Sequence, residues 1–220
     1  VVREMVGSFE KESGHTVKLT YAPVGALRDK IYAGEPADLT IVTPVIIEQL
    51  LGRGLVRSGT RTDLGQVGGG IAVRKGSPRP AIGTPEELKR ALLDAQEIYY
   101  ADPKIATAGA YFLQVADRLG IGAEVRKKGR TAGGGKVSME LMAKSTVKTL
   151  GLTQISEILS VPEVELVGPY PGSLQLMTTY TGILLERTPH SAAAEAFLRF
   201  LTSPPVQARF KQQGYEVPIR

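Results

Sequence analysis

The residues best placed to do chemistry lie in four short loops of small side chains: Ala22 to Ala26, Thr43-Pro44, Ala106 to Gly109, and Ala132 to Gly135. Helix-forming sequence follows each of them. The first N–H groups of a helix have no partner inside it, and they favour an anion. Small side chains let a ligand come close to that backbone. In a parallel sheet these loops gather beyond the carboxyl ends of the strands, where ligands bind. One such loop alone is only a tight turn. Four of them, two from each half of the chain, point to an anion-binding cleft.

Other chemistries lack their residues. The chain has no Cys and only two His, so disulfides, thiolate metal sites and multi-imidazole sites are excluded. His15 sits beside Gly14 in a turn, and His190 follows Pro189 in a helix first turn, so both read as surface residues. Gly68-Gly69-Gly70 precedes a strand, the wrong order for a phosphate loop, and Gly133-Gly134-Gly135-Lys136 lacks the Gly-Lys-Ser/Thr ending. Gly-x-Ser-x-Gly is absent. Asp102, Glu140 and Glu157 are the acids nearest the loops, and each has an ordinary helix or loop explanation. No catalytic residue, metal or cofactor is therefore expected, and the chain reads as a non-enzyme.

The net charge is +5, with the densest run at Arg126, Lys127, Lys128 and Arg130. No aromatic residue interleaves with that run, so it reads as a solvated loop and not as a nucleic-acid surface. No run of 18 apolar residues exists, so no membrane insertion is expected. No signal peptide is visible in the given residues.

The elements that must position the loops follow from periodicity. Val2, Met5, Val6 and Phe9 share a helix face that Gly14 ends, and Thr16 to Tyr21 alternates as a strand. Pro23 opens a helix to about Ala33, Asp38 to Thr43 is a buried strand, and Pro44 starts the next helix. Gly68 to Arg74 is a strand, and Thr84-Pro85-Glu86-Glu87 starts a capped helix to about Asp94. Ile98 to Ala101, Leu150 to Leu152 and Val164 to Val167 are strands. Helices are expected from Thr107 to Leu119 and from Lys136 to Lys144. Leu174 to Leu185 is a long β-like segment suited to a return between lobes. Helices from Pro189 to Leu201 and from Pro205 to Gln212 close the chain. Short apolar strands alternating with helices predict an α/β fold of two mainly parallel-sheet lobes.

With these elements placed, a family likeness can be read from the motifs. Tyr21-Ala22-Pro23-Val24-Gly25-Ala26 and Ala33-Gly34-Glu35-Pro36-Ala37-Asp38-Leu39 resemble the early part of molybdate-type ABC-transporter solute-binding proteins. Asp102-Pro103 with Thr107 to Tyr111, Leu150 to Ser156, and the closing Phe197 to Tyr215 resemble later parts of the same family. The resemblance implies a type II periplasmic-binding fold with the ligand between two lobes. Lobe one would comprise 1–74 and 174–220, and lobe two 75–173. It further implies a monomer that captures a small anionic ligand, an ABC permease as partner, and a periplasmic or extracellular location. Placed on this sequence, the ligand-binding candidates are Val24, Gly25, Thr43, Thr107, Ala108, Gly134 and Gln154.

Two departures qualify that expectation. The family's first strand, with a ligand-contacting Ser, precedes a helix like 1–13, so an upstream segment is expected. The family's second Ser aligns near Val24 and its late-loop Tyr near Gln154. A dehydrated tetrahedral oxyanion wants many donors. An apolar side chain at 24 therefore favours an organic ligand with one anionic end over molybdate. The alternatives are an intracellular sensor domain of the same fold, or an enzyme built on it.

Overall fold

A computed structural model describes residues 1–217. In chain order the elements begin with α1 (Val2–Ser13), α2 (Val24–Tyr32), β1 (Leu39–Val42), α3 (Pro44–Leu51) and β2 (Thr62–Arg74). Then come α4 (Pro85–Asp94), β3 (Glu97–Tyr100), α5 (Thr107–Arg118), α6 (Gly122–Lys128), β4 (Gly129–Thr131) and α7 (Gly135–Met142). The rest are β5 (Thr149–Gln154), α8 (Ile155–Leu159), β6 (Val164–Pro169), β7 (Met177–Leu184), α9 (Ser191–Leu201), α10 (Pro204–Gln212) and β8 (Tyr215–Glu216).

The local signals act as their chemistry requires. Gly14 ends α1 at φ 71°, a conformation that Gly adopts without a Cβ penalty, and its N–H donates to Glu10 O. Thr84 Oγ1 accepts from Glu87 N while Glu87 reaches back to Thr84 N, each at 3.2 Å, with Pro85 in the first turn of α4.

The chain forms two compact units, residues 1–66 with 178–220, and residues 67–177. The chain passes between them inside β2 and inside β7, whereas the sequence placed the boundaries at 74/75 and 173/174.

In the first unit β1 runs antiparallel to β7, from Leu39 opposite Leu184 to Val42 opposite Thr181. β7 neighbours β2, and β8 pairs with β2. Alternation along the strands supplies two cores. Val42 and Ile183 pack with Ile31, Ile46, Ile47 and Leu50 from α2 and α3. Leu64 packs with Phe9, Phe197, Leu201 and Phe210 from α1, α9 and α10.

In the second unit β3 lies between β4 and β5, parallel to both. β5 pairs antiparallel with β2, which also pairs antiparallel with β6. Ile71, Val73, Ile98, Tyr100, Leu150 and Leu152 face α4, α5 and α6, around the fully buried Phe112. Ala72 and Tyr99 face Met139 and Met142 of α7 and Ile158 of α8. Gly151 lets α7 approach, because a Cβ there would stand 2.6 Å from Met139. In each unit the strands thus carry helices on both faces, as expected of the type II periplasmic-binding fold.

Several expectations change. Thr16 to Tyr21 forms no strand. Alternation makes a strand only where an edge is available to pair with, and here Leu19 and Tyr21 lie exposed, with Arg3 over the Tyr21 ring at 4.7 Å. β2 begins at Thr62, six residues ahead of the Gly run, because the strand is long enough to serve both units. The basic run is not a loop. Arg126 to Lys128 form the last turn of α6, and Arg130 lies in β4. Arg126 forks onto Asp117 through two 2.7 Å bonds, and Arg130 reaches Glu97 at 3.2 Å.

Candidate functional site

The parallel register of the second unit brings three strand ends together. Tyr100 stands opposite Thr131 on one side and Leu152 on the other. Just beyond them lie Ala101-Asp102, Ala132-Gly133-Gly134 and Thr153-Gln154, and from this edge α5, α7 and α8 depart. Asp102 N–H donates to Gly133 O at 3.0 Å, joining the first two loops. The buried Ser138 hydroxyl lies 2.9 Å from both Tyr100 O and Ala132 O, which ties α7 beneath them.

Thr107, Ala108, Gly134 and Gln154 therefore share one edge. Thr107 and Ala108 open α5, whose N-cap is Ala106 and which has no side-chain cap. Asp102 O accepts from Ala106 N at 2.9 Å, and Asp102 Oδ1 accepts from Lys104 N at 2.9 Å, which closes a turn ahead of the helix. Gly109 seats the start of α5 against β3, since a Cβ there would fall 2.0 Å from Ala101 O. Gly134 caps α7, and Gln154 caps α8 while standing opposite Gly69 of β2.

The α7 start differs from the expectation of open N–H groups. Glu157, in the first turn of α8, places its carboxyl there. Gly135 N donates to Glu157 Oε1 at 3.1 Å, and Thr153 Oγ1 donates to Oε2. The N–H groups of Gln154 and Lys136 add further bonds. Burial raises this carboxyl above its ordinary value, while the Thr153 hydroxyl and the three N–H groups pull it down. Gly135 makes the arrangement possible, because a Cβ would stand 1.9 Å from Thr153 Oγ1 and 2.1 Å from Glu157 Oε2. Glu157 is the third residue of α8, from which an acid reaches back to the N–H of the N-cap Gln154, and that position was the signal available in the sequence. What it lacked was the arrival of α7 at the same point.

The run Gly68-Gly69-Gly70 serves the same edge by making room. A Cβ on each would stand 2.7 Å from Gln175, 2.8 Å from Tyr170 and 2.8 Å from Ile155, respectively. Gln175 grips Gly69 reciprocally, accepting from its N–H at 2.8 Å and donating to its O at 2.9 Å. Gln154 is thus backed by a fixed strand.

In the first unit, Val24 and Gly25 open α2 and Thr43 caps α3. Val24 packs partly into the core around Val42 and Ile47, so its side chain is engaged beneath the loop. Thr43 is buried, makes no side-chain cap bond, and precedes Pro44, which has no N–H to offer. Among the described residues no group of His, Asp and Glu is arranged to hold a metal ion, and no helix is long and apolar enough to cross a membrane.

Comparison with known proteins agrees with this architecture. The chain is 29% identical over 219 residues to an aconitate isomerase of a Pseudomonas species, covering 97% of this chain and 82% of that protein. It is 23% identical to the molybdate-binding protein ModA of Azotobacter vinelandii, covering 97% and 84%. The solved periplasmic molybdate-binding protein of Azotobacter vinelandii superposes with a TM-score of 0.80 at 20% identity, covering 99% of this chain and 94% of that one. The sequence pattern of the bacterial extracellular solute-binding proteins matches residues 1–216, and the chain belongs to that family.

Proposed function

We propose that this chain captures a small organic acid, for ABC-type uptake from the periplasm, and that Thr107, Ala108 and Gln154 of the second unit contact the ligand. The observation that carries the ligand class is the carboxyl of Glu157 at the α7 start. The N–H groups there already bond an internal acid, and Gly134 contributes shape in place of a free donor. α5 keeps its start without a side-chain cap. An edge with one open helix start and one internal acid suits a carboxylate joined to carbon. It offers less to a tetrahedral dianion that needs a donor on every oxygen.

Calorimetry with the full chain tests this, using citrate, cis-aconitate, trans-aconitate, molybdate and sulfate. Binding confined to the organic acids is the expected result. Tight molybdate binding with no organic acid bound would overturn it.

The same carboxyl favours a second reading. A buried acid near the reacting carbon can take a proton from a carbon next to a carboxylate and return it to another carbon, shifting a double bond with no cofactor. The relative named aconitate isomerase supports this reading. Proton NMR of trans-aconitate incubated with the protein decides it. An unchanged isomer ratio over hours removes the enzyme reading and leaves the binding one.

A further inference from the structure

We propose that Gln175 is a positioning residue for the ligand edge: through a strap of residues 170–175 it ties the strand behind Gln154 to the helix that carries Thr107 and Ala108, and so holds these contacts at one spacing. The inference rests on the reading of this edge as the ligand site.

The strap leaves β6 and closes back on β2. Tyr170 N donates to Gly69 O at 3.2 Å, and the buried Tyr170 ring lies so near Gly69 that a Cβ there would stand 2.8 Å from it. A tight turn then reverses the chain, with Gly172 at φ 50°, Leu174 N donating to Pro171 O and Gln175 N to Gly172 O, each at 3.1 Å. The turn delivers Gln175 to the same strand. Its amide accepts from Gly69 N at 2.8 Å and donates to Gly69 O at 2.9 Å, and Oε1 also accepts from Leu176 N at 2.9 Å. Gly69 stands opposite Gln154.

The same strap is bonded to α5. The Tyr111 hydroxyl donates to Leu174 O at 3.0 Å, next to Gln175, and the Tyr111 and Tyr170 rings stack at 6.5 Å. Tyr111 lies one helical turn after Thr107, so this bond holds the beginning of α5. The sheet decides which strand ends are neighbours. The angle at which a helix lies on it is left to side chains, and a contact residue is held only as well as the groups behind it. Arg118 supplies a contrast. It donates to Ser173 O at 3.1 Å from the last residue of α5, far from Thr107 and away from Gly69.

The test compares the full-length wild type with Gln175→Met, which keeps the length of the side chain without its amide, and with Arg118→Met. Calorimetry with cis-aconitate, melting curves and backbone amide NMR are read on each. Gln175→Met is expected to weaken cis-aconitate by at least ~10-fold, as when a group behind a metal ligand is removed, and to move the amide resonances of both Gln154 and Thr107. Arg118→Met is expected to leave the affinity and both resonances in place, even where its melting temperature falls as far. Affinity lost in both variants in step with melting temperature makes Gln175 merely structural and overturns the inference. Unchanged affinity in a folded Gln175→Met overturns it as well. If that variant does not fold, Tyr111→Phe, which removes only the hydroxyl between α5 and the strap, is held to the same direction of change in affinity and resonances. If the wild type binds no organic acid, the organic-acid reading falls and the resonances decide alone: a shift at Gln154 with none at Thr107 in Gln175→Met shows that the strap ties nothing together.

Discussion

The helices α5 and α7 start at the same edge of the same sheet, one after β3 and the other after β4, yet they begin differently. α5 starts from Ala106 with no side-chain cap, and its seat is backbone on backbone, with Gly109 pressed against Ala101 O. α7 starts from Gly134, and its seat is made of side chains, with Thr153 and Glu157 filling the space beside Gly135. Equivalent positions in a repeated strand–helix unit therefore have different capacities. The first has no side-chain cap, and the second holds the carboxyl of Glu157. A helix start becomes a binding site only when nothing in the same chain reaches it first.

The contrast is broken most severely at Gly109. Gly109→Ala sets a Cβ against a carbonyl that cannot turn away, and a loss of about 3 kcal/mol is expected in chemical denaturation. Gly135→Ala meets only side-chain ends, which can rotate. It should cost less, about 2 kcal/mol, and should free Glu157 from the α7 start. Equal losses at the two positions would show that the two seats are alike after all.

The ionisation of Glu157 sharpens the comparison. Burial holds its carboxyl above the ordinary value near 4.5, so the protonated form favours the folded state. That contribution is complete below the ordinary value and is lost as pH rises through the raised one. The wild type should therefore lose melting temperature relative to Glu157→Gln as the pH is taken upward from 4.5, and the difference should level off once the acid is ionised. A difference that runs the other way would mean that the N–H groups outweigh burial.

The smallest expected effect lies at α5. Ala106 has the extended backbone of an N-cap, φ −122° and ψ 125°. Ala106→Asp should add about 0.5–1 kcal/mol of stability by capping the helix, and should weaken binding of citrate or cis-aconitate by closing the open start. Stabilisation with unchanged binding would remove α5 from the ligand surface.

Much of this was legible in the sequence because it is local. The period of Val2, Met5, Val6 and Phe9 fixes α1, the Thr84-Pro85-Glu86-Glu87 start fixes α4, and small residues after strands mark the loops at Thr107 and Gly134. Short elements carried too few residues for a period, so α6, β4 and α8 were not read. Thr16 to Tyr21 had the pattern of a strand without a partner. The functional residues divide in the same way. That Thr107, Ala108, Gly134 and Gln154 lie at strand ends follows from chain order in a parallel sheet. Which of those ends is already filled does not. The distance from Glu157 to Gly135 depends on how β5 sets α8 beside α7, and a carboxylate one turn into a helix looks the same in sequence whether it faces water or another helix. Pattern along the chain therefore determined the elements and their order, and packing between residues far apart in sequence decided what each loop can bind.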